Sequence, residues 1–145
     1  METWYRQFLL ILAGIVFLMT PVELLLSNHM EGFIQWMPFG ACLLGLLGIV
    51  YFHLSPSVTS LKVFRSVMIV SVLTSLFGMY EHLEHNMAFE LEIRPNAIWT
   101  DVILEAITGA SPMLAPGILI LAGVIGLASA YNGNPLPNHL RMIVN

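Results

Sequence analysis

The densest run of chemically capable side chains in the sequence is Tyr80-Glu81-His82-Leu83-Glu84-His85-Asn86. His82 and His85 are three residues apart and Glu81 and His85 four apart, so on a helix all three share one face. Imidazole and carboxylate together suit a divalent transition metal, and Tyr80, Glu84 or Asn86 is near enough to hold the imidazole tautomers from behind. Two histidines and a carboxylate do not fill a coordination sphere, so further ligands must come from elsewhere in the chain.

The first apolar stretch supplies candidates at the same level. Glu23 follows Pro21, whose missing N–H frees a backbone carbonyl. A carboxylate in an apolar segment costs roughly 2.5–3.5 kcal/mol on insertion scales, so it is expected to face the interior beside a partner, or else to sit protonated or reach up to headgroups. His82 or His85 is the expected partner, as a hydrogen-bonded couple or as a second ligand of one ion. His29, Glu31 and Gln35 lie just beyond, in the connection that follows. The expected metal ligands are therefore His82, His85, Glu81, Glu23 and His29.

Two other cofactors are weighed against a simple ion. Met30, Met37, Met79, Met87 and Met113 gather toward the same side and suit Cu(I), but methionine is also a common filler of apolar bundles and no regular repeat marks a copper tract. Haem held by His29 with His82 or His85 ranks below a plain ion, because these histidines sit at the rim of the expected bundle. His53 and His139 read as interfacial or solvent-facing. Ser57, Ser60, Ser66 and Ser111 stand in no nucleophile-elbow setting and no glycine-rich phosphate loop follows a strand, so enzymatic chemistry is not expected.

The elements that must position these residues follow from composition. Of 145 residues, 57% are apolar and 10% charged, with a mean hydropathy of +0.82. Soluble domains carry roughly 25% charged residues, so this chain reads as a single all-α integral membrane domain. Residues 8–26, 36–54, 63–80 and 112–131 are expected to form four transmembrane helices in a bundle. Arg6 ahead of the first apolar run resembles a secretory leader, but no small-residue cleavage site follows, and the run is read as a retained helix. Small residues at helical spacing mark the contact faces: Ser71, Thr74, Ser75 and Gly78 on the third helix, Gly40, Ala41, Gly45 and Gly48 on the second, and Ala122, Gly126 and Ala130 on the fourth. Extending the third stripe upward reaches Glu81, His82 and His85, which sets them over the bundle axis.

Between the third and fourth spans, Ile98, Trp99, Val102, Ile103, Ala106 and Ile107 recur at helical spacing opposite Asp101, Glu105 and Thr108. A short amphipathic interfacial helix over 97–108 is expected, opened by Asn96 and ended by Gly109, either sealing the bundle or docking a partner. The tail 132–145 reads as irregular.

Charge fixes the threading. Arg6, Lys62, Arg65 and Arg141 fall on the side of the termini and Arg94 alone on the other, which predicts both termini in the cytoplasm. Eight of the nine acids, Glu23, Glu31, Glu81, Glu84, Glu90, Glu92, Asp101 and Glu105, fall on the outer side. The net charge of −4 and the lack of a basic stripe argue against nucleic acid, and the lone Cys42 against disulfide or zinc-ribbon chemistry. Three functions remain open: a membrane protein with an outward-facing His/carboxylate site for a divalent metal, a non-catalytic accessory subunit of a larger membrane complex or homo-oligomer, and a small ion-coupled carrier using Glu23.

Overall fold

The computed structural model describes residues 2–28, 30, 32–109, 111 and 113–131. Among them the chain forms the helices α1 (Glu2–Leu26), α2 (Met37–Leu54), α3 (Val58–Ile93), α4 (Trp99–Ile107) and α5 (Leu114–Ser129), with a 3-10 turn at Phe33–Trp36 leading into α2. No strand occurs among the described residues. Three segments, Trp4–Leu26, Phe33–Leu54 and Val58–Ile93, are long and apolar enough to cross a membrane. The expected fourth span differs: α5 has 16 residues, about 24 Å of helix. The tail 132–145 lies outside the described residues.

Local chemistry sets the boundaries. Pro38 occupies the first turn of α2, where its missing N–H costs nothing. Ser57 opens α3: its Oγ accepts from the Ser60 N–H at 3.0 Å while Ser60 Oγ accepts from the Ser57 N–H at 2.9 Å, a reciprocal cap with serine in the role of glutamate. That cap starts α3 five residues before the expected 63. At the other end α3 runs on to Ile93, giving 36 residues and about 54 Å, because nothing interrupts it before Arg94-Pro95. α4 begins at Trp99 instead of 97, since its first turn is capped by the Asp101 carboxylate, which accepts from the Ile98 N–H at 3.1 Å, and Asn96 does not serve as its cap.

α1 packs on α2 and α5, and α3 on α2, α5 and α4, while α2 and α5 only brush each other. Ala13, Phe17, Cys42, Phe64, Met68, Leu119 and Ala122 are buried at the centre, and Phe52 stacks on Phe64 at 5.1 Å. The expected small-residue faces are where helices meet. Ser71 and Ser75 are buried on α3, Ala41, Gly45 and Gly48 on α2, and Ala122, Gly126 and Ala130 at α5, whereas Gly40 is exposed. A Cβ added at Gly45 would lie 2.8 Å from the Phe17 ring, so that glycine is what lets the ring lie against α2.

The end of α5 is closed by two arginines from distant parts of the chain. Arg6 Nε donates to the Ser129 carbonyl at 2.9 Å and Arg65 Nη2 to the Ala130 carbonyl at 2.6 Å. These carbonyls have no partner inside the helix and carry the negative end of its dipole. Arg65→Gln should therefore lower stability by about 1–2 kcal/mol in a detergent thermal melt, with Lys62→Gln, its neighbour on α3, close to neutral. An unchanged midpoint for Arg65→Gln would mean that these bonds contribute nothing net.

Candidate functional site: a cleft between the long helices

At the end of the molecule opposite Arg6 and Arg65, all four long helices and the turn before α2 enclose a cleft of about 820 Å³. α1 supplies Thr20, Glu23 and Leu24; the turn and α2 supply Phe33, Ile34, Gln35, Met37 and Pro38; α3 supplies Thr74, Ser75, Phe77, Gly78, Glu81, His82 and His85; and α5 supplies Pro116 and Leu119. Its floor is buried. Thr20 and Ser75 turn their hydroxyls to backbone carbonyls, Thr20 to Val16 at 2.8 Å and Ser75 to Pro116, which joins α3 to α5 directly below the cleft.

The sequence-derived candidates meet here in part. Glu23 of α1 and Glu81, His82 and His85 of α3 all line this one cleft. Among the described residues, however, no three His, Cys, Asp or Glu side chains stand close enough to hold one metal ion. His29 and Glu31 lie outside the described residues, so the expected five-ligand set is represented by four. Tyr80 and Glu84 line a separate shallow groove with Leu83, Met87 and Leu91.

Asn86 has a different task from the one its position suggested. It is 2% exposed, and its Nδ2 donates to the carbonyls of Ala106 at 2.8 Å and Ser111 at 2.9 Å, while its Oδ1 accepts from the Ser111 N–H at 3.0 Å. One amide thus ties the end of α4 and the following connection to α3 and sets Ser111 at the cleft wall. Gly109 makes room for it, since a Cβ there would fall 2.6 Å from Asn86 Cγ. A second tie holds the start of the hairpin: Arg94 pairs with Glu90 at 2.7 Å and Glu105 at 3.4 Å. The Glu90 hydrogen bond, with smaller help from Glu105, raises the Arg94 guanidinium above its ordinary value.

α4 buries only Val102 and Ala106 against α3. Trp99, Leu104 and Ile107 remain exposed, together with Phe89 and Ile93 of α3. The apolar stripe read from the sequence is therefore split, half of it on α3 and half facing outward.

Sequence reasoning did not find the apolar walls at Phe33, Ile34, Phe77, Pro116 and Leu119. Their signal lies in topology, since they belong to three separate segments that only packing brings together. Comparison with protein-family models, with curated proteins and with solved structures finds no match.

Proposed function

We propose that the chain is a multi-pass membrane protein whose α1, α2, α3 and α5 cross the bilayer as a four-helix bundle, with both termini cytoplasmic and the cleft facing out. Support comes from the outward side chains: Ile11, Ile15 and Leu18 on α1, Leu43, Leu47 and Val50 on α2, Ile69 and Leu73 on α3, and Leu121 and Val124 on α5 are all exposed. An apolar surface of that extent belongs in lipid. Exposed Trp4 and Trp36 at opposite ends suit the two interfaces, and Arg6, Lys62 and Arg65 at one end follow the positive-inside rule. The short α5 fits because its last carbonyls meet long arginine side chains that reach back to the inner surface.

Within that frame the outer cleft is a ligand-binding site. The observation that carries this reading is that Glu23, Glu81, His82 and His85, from two helices, enter one cleft of about 820 Å³. A mostly apolar hollow with a few polar groups has the character of a small-molecule site. The buried floor favours binding over conduction, which weakens the carrier reading. A divalent ion remains the alternative ligand at the same place.

Protein extracted in mild detergent without chelator is expected to carry a bound organic or metallic species in native mass spectra. Thr74→Trp, which fills the cleft from α3, should lose it. A divalent ion bound one to one and lost in His82→Ala/His85→Ala would select the metal. Wild type and Thr74→Trp with identical, ligand-free masses would overturn the binding reading. The exposed Phe89, Ile93, Trp99 and Leu104 of the α3–α4 hairpin favour a second reading, attachment to a larger membrane complex, which the same spectra test through co-purifying subunits.

A further inference from the structure

We infer that the outer cleft takes a lipophilic organic cation: an apolar body seated on the cleft walls and a positively charged head beside Glu23 and Glu81. This rests on the reading of the cleft as a binding site and adds the class of its ligand.

Size argues first. Clefts that hold drug-sized ligands measure about 300–1,000 Å³, and this one, at about 820 Å³, is far roomier than a bare ion needs. The ligand dimensions that suit it are those of a molecule with several rings or a branched chain.

Charge argues next. Among the described residues the lining contains two carboxylates and two imidazoles but no lysine or arginine, a formal charge of −2 with histidine counted as neutral. Among the described basic residues, Arg6 and Arg65 are committed to the end of α5, Lys62 lies in the first turns of α3, and Arg94 is held by Glu90 and Glu105. None of them lines the cleft to offset Glu23 and Glu81. An anion entering would meet like charge, and a neutral apolar molecule would strip water from two carboxylates and give nothing back. A cation repays that desolvation.

The walls complete the match. Leu24, Ile34, Met37 and Leu119 offer aliphatic contact, and Phe33 and Phe77 put aromatic rings in the lining, a side-chain type that attracts cations electrostatically. The floor hydroxyls of Thr20 and Ser75 are already bonded to backbone carbonyls, which leaves the carboxylates as the charge-bearing acceptors.

A pair of probes identical in shape and opposite in charge isolates the claim: tetraphenylphosphonium and tetraphenylborate, each titrated against the full chain in lipid nanodiscs with empty nanodiscs as the blank. The phosphonium should bind at one saturable site, and the borate should only partition as it does into empty discs. Glu23→Gln/Glu81→Gln should weaken phosphonium binding about tenfold or more without moving the thermal midpoint. Should the double variant not fold, Glu81→Gln alone gives the same direction. Equal saturable binding of both ions, or full affinity in the glutamine variants, would overturn the cation assignment. Borate binding that disappears in Thr74→Trp would refute the charge class and leave the cleft a binding site. No saturable binding of either ion would refute the cation class, and ligand-free native spectra alongside it would remove the binding reading as well.

Discussion

Asn86→Ala is expected to lower stability by about 2–4 kcal/mol and to free α4 from α3. The estimate follows from what the side chain leaves behind. The Ser111 carbonyl and N–H lose the amide, and the buried Ala106 carbonyl keeps the longer bond from the Gly109 N–H at 3.3 Å but loses the one at 2.8 Å. A buried polar group without a partner costs about 1–3 kcal/mol, which outweighs the small helix-propensity gain from alanine. Asn86→Asp should fail almost as badly, because a carboxylate cannot donate to two carbonyls. Gly109→Ala attacks the same joint from the other side, its Cβ falling 2.6 Å from Asn86 Cγ. Hydrogen exchange should report the change as lost protection over 99–107 with α1 and α2 unaffected. Protection retained in Asn86→Ala would mean that Val102 and Ala106 hold α4 without the amide.

Gly123→Ala should be the most damaging single-methyl addition in the apolar part of the molecule, at about 1–3 kcal/mol. The new Cβ would lie 2.6 Å from Val72 Cγ2 and 2.9 Å from the Met68 carbonyl oxygen. A side-chain methyl can rotate away, but a backbone carbonyl in α3 moves only with its helix, so α3 and α5 must separate. Gly126→Ala meets the flexible end of the Met68 side chain and should cost less. Gly40 and Gly117 have nothing within 4 Å of an added Cβ, and alanine there should be neutral or stabilising through its better helix propensity. Midpoints of unfolding for the four variants, taken in one detergent, check the ranking. A Gly117→Ala protein less stable than Gly123→Ala would contradict the packing described for α5.

These two sites also show where the sequence is readable and where it is not. Periodicity and small-residue spacing are local properties, and from them Ser71, Ser75, Ala122 and Gly126 were identifiable as contact positions, with Glu81, His82 and His85 above them on one face. Gly123 was not, because it falls one residue off the regular spacing of four and gains its meaning only from Met68 and Val72 on another helix. Asn86 was legible as a polar residue beside two histidines and was assigned to them, whereas its partners lie 20 and 25 residues away in the chain. The third span was expected over 63–80, whereas α3 runs on to Ile93 and starts early on a serine pair at Ser57 and Ser60 in place of the more familiar acidic cap. From the cost of a carboxylate in an apolar helix Glu23 was expected beside His82 or His85, and the three line one cleft. The width of that cleft was not anticipated, since sequence spacing gives direction around a helix and says nothing of the distance across to the next.

The proposed topology sets Glu23 and Glu81 in one cleft open to the outer side of the membrane. Reaction with a membrane-impermeant maleimide in intact cells tests this directly, and Cys42, fully buried, stays out of the reagent's reach. Glu23→Cys and Glu81→Cys should both label from outside and both slow when Thr74→Trp is added, while Lys62→Cys should label only after permeabilisation. Labelling of Glu23→Cys or Glu81→Cys that requires permeabilisation, or that proceeds at the same rate with Thr74→Trp present, would contradict it.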